Sequence, residues 1–141
     1  MILIFGGAYQ GKLEYAQERF GIADADIYHC TDEITAPEIP RDKKIINCLE
    51  NWILALIKAE TNVTDAVQQF IDAYPNAIVI CTDISCGIVP MSPQDREWRE
   101  AVGRSMAVLS KEAEEVVRIF CGIPTVLKPL ATCGKPAVIK P

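Results

Sequence analysis

The chain has 141 residues, of which half are apolar, and a formal net charge of −5 at pH 7. This length is typical of a single domain, and the apolar fraction is sufficient for a core without disulfides. The negative charge disfavours nucleic acid and anionic membrane surfaces as partners, because both attract clustered Lys and Arg. No apolar run approaches the roughly 20 residues that cross a membrane, and no signal-peptide pattern is visible. We therefore expect one cytoplasmic domain over residues 1–141.

Six cysteines accompany a single histidine, His29. Cys48 and Cys81 lie in or beside apolar runs, where a reduced thiol acts as a small hydrophobic side chain. The sequence contains no Cys-x-x-Cys pair, and the ligand spacings of a zinc site are missing. We therefore expect reduced cysteines and no metal site built from them. A disulfide or a metal ion at Cys81 and Cys86 is the alternative.

Strand-like and helix-like segments alternate along the chain. An apolar run at 1–5 predicts a buried strand, and a short helix follows at 12–20 with Gly21 as its stop. Further strands are predicted at 26–30, 44–48, 77–81, 116–121 and 125–128. Further helices are predicted at 52–60, from 64 to about 74, and from 93 to about 115. This alternation favours a mostly parallel sheet with helices on both faces.

Apolar spacing and capping residues support the two later helices. In the first of them, apolar residues recur every three or four positions, as Val63, Ala66, Val67, Phe70, Ile71 and Tyr74. The second begins at Ser92 and Pro93, an N-cap hydroxyl followed by the proline typical of a first helical turn. Its inward positions are Trp98, Val102, Met106, Leu109 and Ala113. Residues 31–41, with two prolines and many acids, are expected to form an exposed loop, and the Pro- and Gly-rich end a tail.

The first strand ends in GGAYQGKL, which contains the pattern G-x-x-x-x-G-K from Gly6 to Lys12. Glycines let consecutive N–H groups surround an anion, the following helix N-terminus adds partial positive charge, and the lysine reaches the β- and γ-phosphates. A strand before the pattern and a helix after it are both predicted. The sequence therefore indicates a P-loop NTPase (RecA-like) α/β fold that binds ATP or GTP. The expected nucleotide-binding residues are Gly6, Gly7, Ala8, Tyr9, Gln10, Gly11, Lys12 and Leu13.

The residue after the lysine departs from this pattern. A Ser or Thr hydroxyl normally ligates the Mg²⁺ of the nucleotide at this position, and Leu13 offers no oxygen. Phosphate binding by backbone amides does not depend on that side chain, whereas phosphoryl transfer relies on a placed metal. We therefore expect nucleotide binding, with Mg²⁺ only where other groups replace its usual protein ligands.

Several further segments resemble one family, the bifunctional adenosylcobinamide kinase/adenosylcobinamide-phosphate guanylyltransferase of cobalamin biosynthesis. Its loop reads like GGARSGKS, and its most specific later segment, TNEVGMGIVP, is similar to TDISCGIVP at 82–90. The following helix, WREAVGRSMAVLSKEAEEVV, keeps the pattern of the family through Arg99, Gly103, Arg104 and Glu115. In addition, IINCLENWILAL matches a family segment that reads acid-Cys-Leu-Thr.

The resemblance implies roles for four residues. Lys12 would stabilise transferred charge, and Thr31 after the second strand would touch the nucleotide, as would Asn47. Asp83, at the carboxyl end of its strand, would be the base or a metal partner; a turn-initiating Asp is the alternative. Apart from the resemblance, Arg99 and Arg104 lie five positions apart on the long helix and point in different directions, so either could contact phosphate or a neighbouring subunit.

Three departures from the family bear on its second activity and on its metal. The helix whose histidine accepts GMP is largely deleted, and His29 aligns with a strand instead. Asn47 stands where the family has an acid, and Met106-Ala107 replaces an Asn-Gln pair. The resemblance therefore implies an adenosylcobinamide kinase with doubtful guanylyl transfer and a degenerate metal site. The alternatives are a non-catalytic nucleotide- or corrinoid-binding relative and a kinase of another small metabolite. Family members form ring-like oligomers, which implies a homo-oligomer, by resemblance a trimer.

Overall fold

The computed structural model describes residues 1–33 and 38–131. In that part of the chain, strands and helices alternate much as the sequence predicts. They are β1 (Ile2–Gly6), α1 (Lys12–Phe20), β2 (Ile27–His29), β3 (Ile45–Asn47), α2 (Leu49–Lys58), α3 (Val63–Ala73), β4 (Ile78–Thr82), α4 (Pro93–Glu112), β5 (Glu115–Phe120) and β6 (Ile123–Lys128).

The strands form one sheet in the order β2-β3-β4-β1-β5-β6. The first five are parallel, and β6 pairs antiparallel with β5 through a two-residue turn at Cys121 and Gly122. Both turn residues have positive φ, 50° and 75°, which matches the twist of a tight hairpin. The mostly parallel sheet of the predicted P-loop NTPase (RecA-like) fold is confirmed.

Helices cover both faces of the sheet, which explains why its central strands are apolar at successive positions. Leu3 of β1 faces a core shared with α2, α3 and α4, which includes Phe70 and Leu109. The next residue, Ile4, faces a smaller core under α1, where it packs with Ala16. The inward positions predicted for α3 and α4 lie in or against the larger core, with the exception of Ala66.

Two helix boundaries differ from the prediction by about three residues. Helix α2 begins at Leu49, three residues before the predicted start, because Cys48 adopts a left-handed conformation (φ 60°, ψ 47°) that turns the chain from β3 directly into the helix. Helix α4 ends at Glu112 rather than near 115. Glu115 instead begins β5, pairs with β1 in the sheet and is buried.

The predicted exposed loop at 31–41 is only partly described, with 34–37 outside the described residues. Ile39 is buried rather than exposed, and the Tyr74 hydroxyl donates a hydrogen bond to its carbonyl oxygen. The Pro- and Gly-rich end from 132 onward also lies outside the described residues. Of the helices in the described ranges, none has the length and apolar character needed to span a bilayer.

A buried ion pair joins α1 to the start of β5. Arg19 Nη2 donates to both Glu115 carboxylate oxygens, at 2.9 and 3.0 Å, and the Glu115 side chain is only 4% exposed. Removing the guanidinium would leave a buried carboxylate without its cation. Because Arg19 is itself about a third exposed, we expect Arg19→Met to lower the free energy of unfolding by about 2 kcal/mol, below the range for fully buried pairs.

Urea-induced unfolding followed by circular dichroism measures this change. The matched control is Arg104→Met, which breaks an exposed ion pair with Glu100. The control should change the unfolding free energy by less than about 0.5 kcal/mol. Equal losses of unfolding free energy in the two variants would show that burial does not increase the contribution of the Glu115 ion pair to stability.

Candidate functional site

The carboxyl ends of the five parallel strands lie along one edge of the sheet. In this strand order the chain leaves β1 toward β2 on one side and leaves β4 toward β5 on the other. Ligands of open α/β sheets bind at such a reversal point, between the strands whose connections diverge. The crevice at the ends of β1 and β4 is therefore where a ligand is expected, and the Gly6–Lys12 loop begins there.

Glycines are required at both ends of this loop. At Gly6 an added Cβ would lie 2.2 Å from the carbonyl oxygen of Ile119 on the adjacent strand β5, so only glycine fits. Gly11 precedes α1 with φ 84°, a left-handed conformation that glycine adopts without steric cost. Between them, the exposed Tyr9 also has a positive φ, 57°. The backbone thus turns sharply enough for successive N–H groups to surround an anion.

Gln10 attaches the loop to the β5–β6 hairpin. Its side-chain oxygen accepts a hydrogen bond from the Cys121 N–H, and its carbonyl oxygen accepts one from Gly122 N–H at 3.1 Å. Gln10 therefore holds the loop against both residues of the hairpin turn. Sequence reasoning placed Gln10 in the loop but could not show this contact, because its partner lies 111 positions away.

Lys12 begins α1 and is turned into the loop. The residue is 8% exposed, and its Nζ donates a hydrogen bond to the Gly7 carbonyl oxygen at 2.6 Å. A buried ammonium with one carbonyl partner retains two donors that can bind an anion. Together with the N-terminus of α1, Lys12 makes the loop an electropositive site at the crevice.

Asp83 follows β4 at the same edge, and its N–H donates to the Gly6 carbonyl oxygen at 2.9 Å. Its carboxylate is engaged locally: Oδ1 accepts from the Ser85 N–H at 3.0 Å and from the Ser85 hydroxyl, and Oδ2 lies 3.4 Å from the Cys86 Sγ that donates to it. Asp83 therefore initiates a turn, which is the alternative considered from the sequence. It also lies directly beside the loop. Partial burial alone would raise the pKa of Asp83, but these hydrogen bonds and the charge of Arg118 outweigh it and lower the pKa.

This lowered pKa predicts how stability depends on pH. A carboxyl group whose pKa is lower in the folded than in the unfolded chain contributes stability that is complete above its unfolded pKa of about 3.9. The contribution is lost as pH falls through the folded pKa. We therefore expect the difference in unfolding free energy between wild type and Asp83→Asn to be constant from pH 7 to 5 and to shrink below about pH 4. Urea unfolding at each pH measures it, and a difference that grows on acidification would contradict the assignment.

Asn47 and His29 end neighbouring strands and contact each other. Asn47 Nδ2 lies 3.0 Å from His29 Nδ1, and the backbone carbonyl oxygen of Asn47 accepts the Cys30 N–H at 2.9 Å. The amide is therefore oriented by the imidazole rather than left free. Thr31 lies two residues beyond β2 and is exposed, at the same edge. The site residues expected from the sequence thus share one edge of the sheet, on β1, β2, β3 and β4.

Glu50, which sequence reasoning did not single out, lies buried at this edge. It occupies the first turn of α2, is 7% exposed, and its Oε2 accepts the Thr82 N–H at 2.9 Å. Its carbonyl oxygen accepts a hydrogen bond from Trp98 Nε1 at 2.7 Å, which joins α2 to α4. A sequence signal was present: an acid within the apolar segment LENWILAL, whose neighbour Leu49 is fully buried.

Two of the thiols near this edge, those of Cys30 and Cys81, are buried. Burial raises the pKa of Cys30 to about 12 and raises that of Cys81 as well, so neither forms a thiolate readily. Cys86 is exposed, and both Cys81 and Cys86 are free thiols. Within 1–33 and 38–131, no group of three or more His, Cys, Asp or Glu is arranged to hold a metal ion.

The oxygen donors at this edge nevertheless fit a nucleotide-bound Mg²⁺. Mg²⁺ is commonly held by one or two carboxylates together with phosphates and waters, so a dedicated protein cage is not required. Asp83 and Glu50 are the two carboxylates at this edge that would hold it. Leu13 contributes nothing here, because its side chain packs against the core under α1. Asn47 offers an amide oxygen without charge.

Arg99 shapes the loop that follows Asp83. Its guanidinium donates to the carbonyl oxygens of Ser85, Gly87 and Ile88 at 2.8, 3.1 and 3.1 Å. These bonds use Nε and both terminal nitrogens, so the phosphate contact considered from the sequence would compete with the loop. Arg104 is exposed and paired with Glu100. Arg99 therefore orders the GIVP segment next to the site.

Comparison with known proteins identifies a family. The family model described as cobinamide kinase / cobinamide phosphate guanyltransferase matches residues 28–127, well over half of the chain. The matched segment begins after the Gly6–Lys12 loop and includes Asn47, Glu50 and Asp83. Comparison with curated proteins finds no matching sequence. The chain belongs to the cobinamide kinase / cobinamide phosphate guanyltransferase family.

Proposed function

We propose that the chain is an adenosylcobinamide kinase, which transfers the γ-phosphoryl group of ATP or GTP to a hydroxyl of adenosylcobinamide in the cytoplasm. The observation that carries the proposal is the glycine-bounded loop at the reversal point of the sheet, with the buried Lys12 ammonium inside it and the Asp83 carboxylate beside it. Membership of the family supports the substrate class.

Each part of this edge has a role in the proposed reaction. Backbone N–H groups from Gly6 to Leu13 hold the β- and γ-phosphates, and Lys12 stabilises the charge that develops during transfer. Thr31 and Asn47 contact the nucleotide from the neighbouring strands. A bound Mg²⁺ would neutralise phosphate charge, and Asp83 and Glu50 are the carboxylates that would hold it.

Asp83 is better suited to holding charge than to removing a strongly bound proton. Its lowered pKa keeps it ionised at neutral pH, but a weakly basic carboxylate accepts a proton poorly. Phosphoryl transfer with a loose transition state needs little general base catalysis, since positioning and electrostatics dominate. Asp83 therefore orients the attacking hydroxyl by accepting its hydrogen bond.

The second family activity, guanylyl transfer through a histidine, has less support than the kinase activity. His29 is the one histidine of the sequence and lies on β2, where its Nδ1 contacts the Asn47 amide. A nucleophilic histidine needs a free nitrogen directed at the nucleotide phosphate and a partner that raises its basicity. A neutral amide does not provide that partner, so we expect no covalent guanylyl intermediate.

A second candidate function is a non-catalytic relative that binds nucleotide or corrinoid. Two observations favour it: Leu13 packs into the core instead of offering a hydroxyl, and Asn47 is an amide where the family has an acid. These changes remove metal ligands but leave the backbone of the phosphate loop intact. The two candidates therefore differ in their response to Mg²⁺.

Calorimetric titration of ATP and GTP, each with Mg²⁺ and with EDTA, separates the candidates when combined with a turnover assay. Tighter binding with Mg²⁺ and nucleotide consumption only when adenosylcobinamide is present support the kinase. Equal affinity in the two buffers without consumption supports the binding relative. Absence of binding at millimolar nucleotide would eliminate the kinase and the nucleotide-binding relative, and would leave a relative that binds only the corrinoid.

Restoring the missing hydroxyl tests the degenerate metal site. We expect Leu13→Ser to strengthen Mg²⁺-nucleotide binding by about tenfold, the size of one good hydrogen-bonded contact. The substitution also removes apolar packing under α1, which should lower the unfolding free energy by about 1–2 kcal/mol. Leu13→Ala is the matched control, because it loses the same packing without gaining an oxygen. Equal affinities of the two variants would show that the hydroxyl is not the limiting group.

We also propose a homo-oligomer, by resemblance a trimer. Strand β6 supports it, since Ile123, Val126 and Leu127 are exposed large apolar residues on a strand at the edge of the sheet. Light scattering coupled to size exclusion measures the mass in solution. A monomer at tens of micromolar would overturn this part.

A further inference from the structure

Glu50 is one of four buried polar or charged residues in the described part of the chain, with Lys12, Ser105 and Glu115. A buried carboxylate is unfavourable unless it is paired or hydrogen-bonded. Glu115 has the guanidinium of Arg19. Glu50 instead accepts the Thr82 N–H, one residue before Asp83, at the carboxyl edge of the sheet.

Strand pairing and hydrogen bonds place the Glu50 carboxylate beside the start of the loop. Thr82, whose N–H donates to Glu50 Oε2, is the register partner of Gly6 on β1. Lys12 donates from Nζ to the carbonyl oxygen of Gly7, the residue that follows Gly6. The buried carboxylate is therefore bonded opposite the first glycine of the loop, and the buried ammonium is bonded to the next residue.

Glu50 lies at the junction of β3 and α2, which the left-handed Cys48 makes a direct turn. Asn47, at the other end of this junction, offers an amide without charge, and its Nδ2 contacts His29. Glu50 therefore supplies the negative charge of this junction.

We infer that Glu50 is a positioning residue whose buried carboxylate, held from the first turn of α2 beside Thr82, selects metal-complexed over metal-free nucleotide by its charge. The inference rests on the proposed nucleotide-binding function and assigns the selection to one side chain. Leu13 contributes no oxygen to this selection, and Asn47 contributes no charge.

The physical basis is the charge balance of the site. A negative side chain beside a phosphate site repels a metal-free triphosphate, and it attracts the bound cation of a metal complex. Removing that charge while keeping the hydrogen bond therefore changes the two affinities in opposite directions. A merely structural role for Glu50 would change both affinities in the same direction, because it would act through the shape of the site.

The test is calorimetric titration of wild type and Glu50→Gln with ATP and GTP, in Mg²⁺ and in EDTA. The amide oxygen of glutamine can still accept the Thr82 N–H, so the melting temperature serves as a check on folding. We expect the ratio of the EDTA Kd to the Mg²⁺ Kd to fall about tenfold in Glu50→Gln. Glu112→Gln, on the exposed last residue of α4, is the matched control and should leave the ratio unchanged.

A double variant, Asn47→Asp/Glu50→Thr, moves the carboxylate to the other end of the same junction, at the end of β3. It should keep the wild-type ratio, and it serves as the deciding variant if Glu50→Gln folds poorly. Parallel changes of both Kd values in Glu50→Gln, an unchanged ratio, or loss of the ratio in the double variant would each overturn the inference. If the wild type still binds nucleotide with a metal preference, these outcomes leave the proposed function intact. If the wild type does not bind nucleotide, the inference and the proposed function are both overturned.

Discussion

Lys12→Ala is expected to weaken the binding of ATP and GTP about 100-fold, the loss of one or two charge-assisted hydrogen bonds to phosphate. The ammonium lies inside the loop, hydrogen-bonded to the Gly7 carbonyl oxygen, and belongs to the one buried cationic side chain among the described residues. Backbone N–H groups remain in the variant, so weak binding should persist. Calorimetric titration at constant ionic strength measures the change.

Lys111→Ala is the matched control, because Lys111 is exposed in the last turn of α4 and its removal takes away the same net charge. Its Kd should stay within about twofold of wild type, since charges beyond a Debye length of about 8 Å are screened at physiological salt. If the two variants bind equally well, the Gly6–Lys12 loop is not the nucleotide site.

Gly6→Ala is expected to have the largest effect on stability. Its Cβ would lie 2.2 Å from the carbonyl oxygen of Ile119, which belongs to the backbone of the central sheet and cannot rotate away. Strands β1 and β5 must separate locally, and we expect the free energy of unfolding to fall by about 3 kcal/mol. A thermal melt should show a midpoint lower by about 10 °C.

Gly103→Ala provides the opposite expectation in the same measurement. An added Cβ at Gly103, inside α4, would meet the Ser85 Cβ at 3.8 Å, an ordinary contact. Alanine in a helix interior is favoured over glycine by about 0.5–1 kcal/mol. Gly103→Ala should therefore raise the melting midpoint slightly. A similar decrease in both variants would show that the close approach at Gly6 is not the cause.

Local sequence signals predicted much of the fold. The helix after the loop is found at Lys12–Phe20 as predicted, because Gly11 and Gly21 limit it on both sides. Ser92 caps α4 as predicted by accepting the Asp95 N–H at 3.5 Å. Boundaries were wrong where a single residue adopts an unusual conformation or changes its partner, as with the left-handed Cys48 and with Glu115 in β5.

The parts of the candidate site that sequence could not provide are its contacts across the sheet. Asn47 and His29 are 18 positions apart, and they meet because β2 pairs with β3. Glu50 and Thr82 are 32 positions apart, so the sequence showed Glu50 only as one polar residue in an apolar helix. Parallel pairing decides which loops share an edge, and only motifs within one loop, such as Gly6–Lys12, are visible without it.

The most direct measurement of the proposed function follows γ-labelled ATP and GTP mixed with adenosylcobinamide, Mg²⁺ and the protein, with the corrinoid separated by chromatography. The expected result is labelled adenosylcobinamide phosphate from wild type, strongly reduced in Lys12→Ala and unaffected in Lys111→Ala. A wild-type protein that binds nucleotide in the same buffer yet leaves the corrinoid unlabelled would contradict the kinase and leave the binding relative.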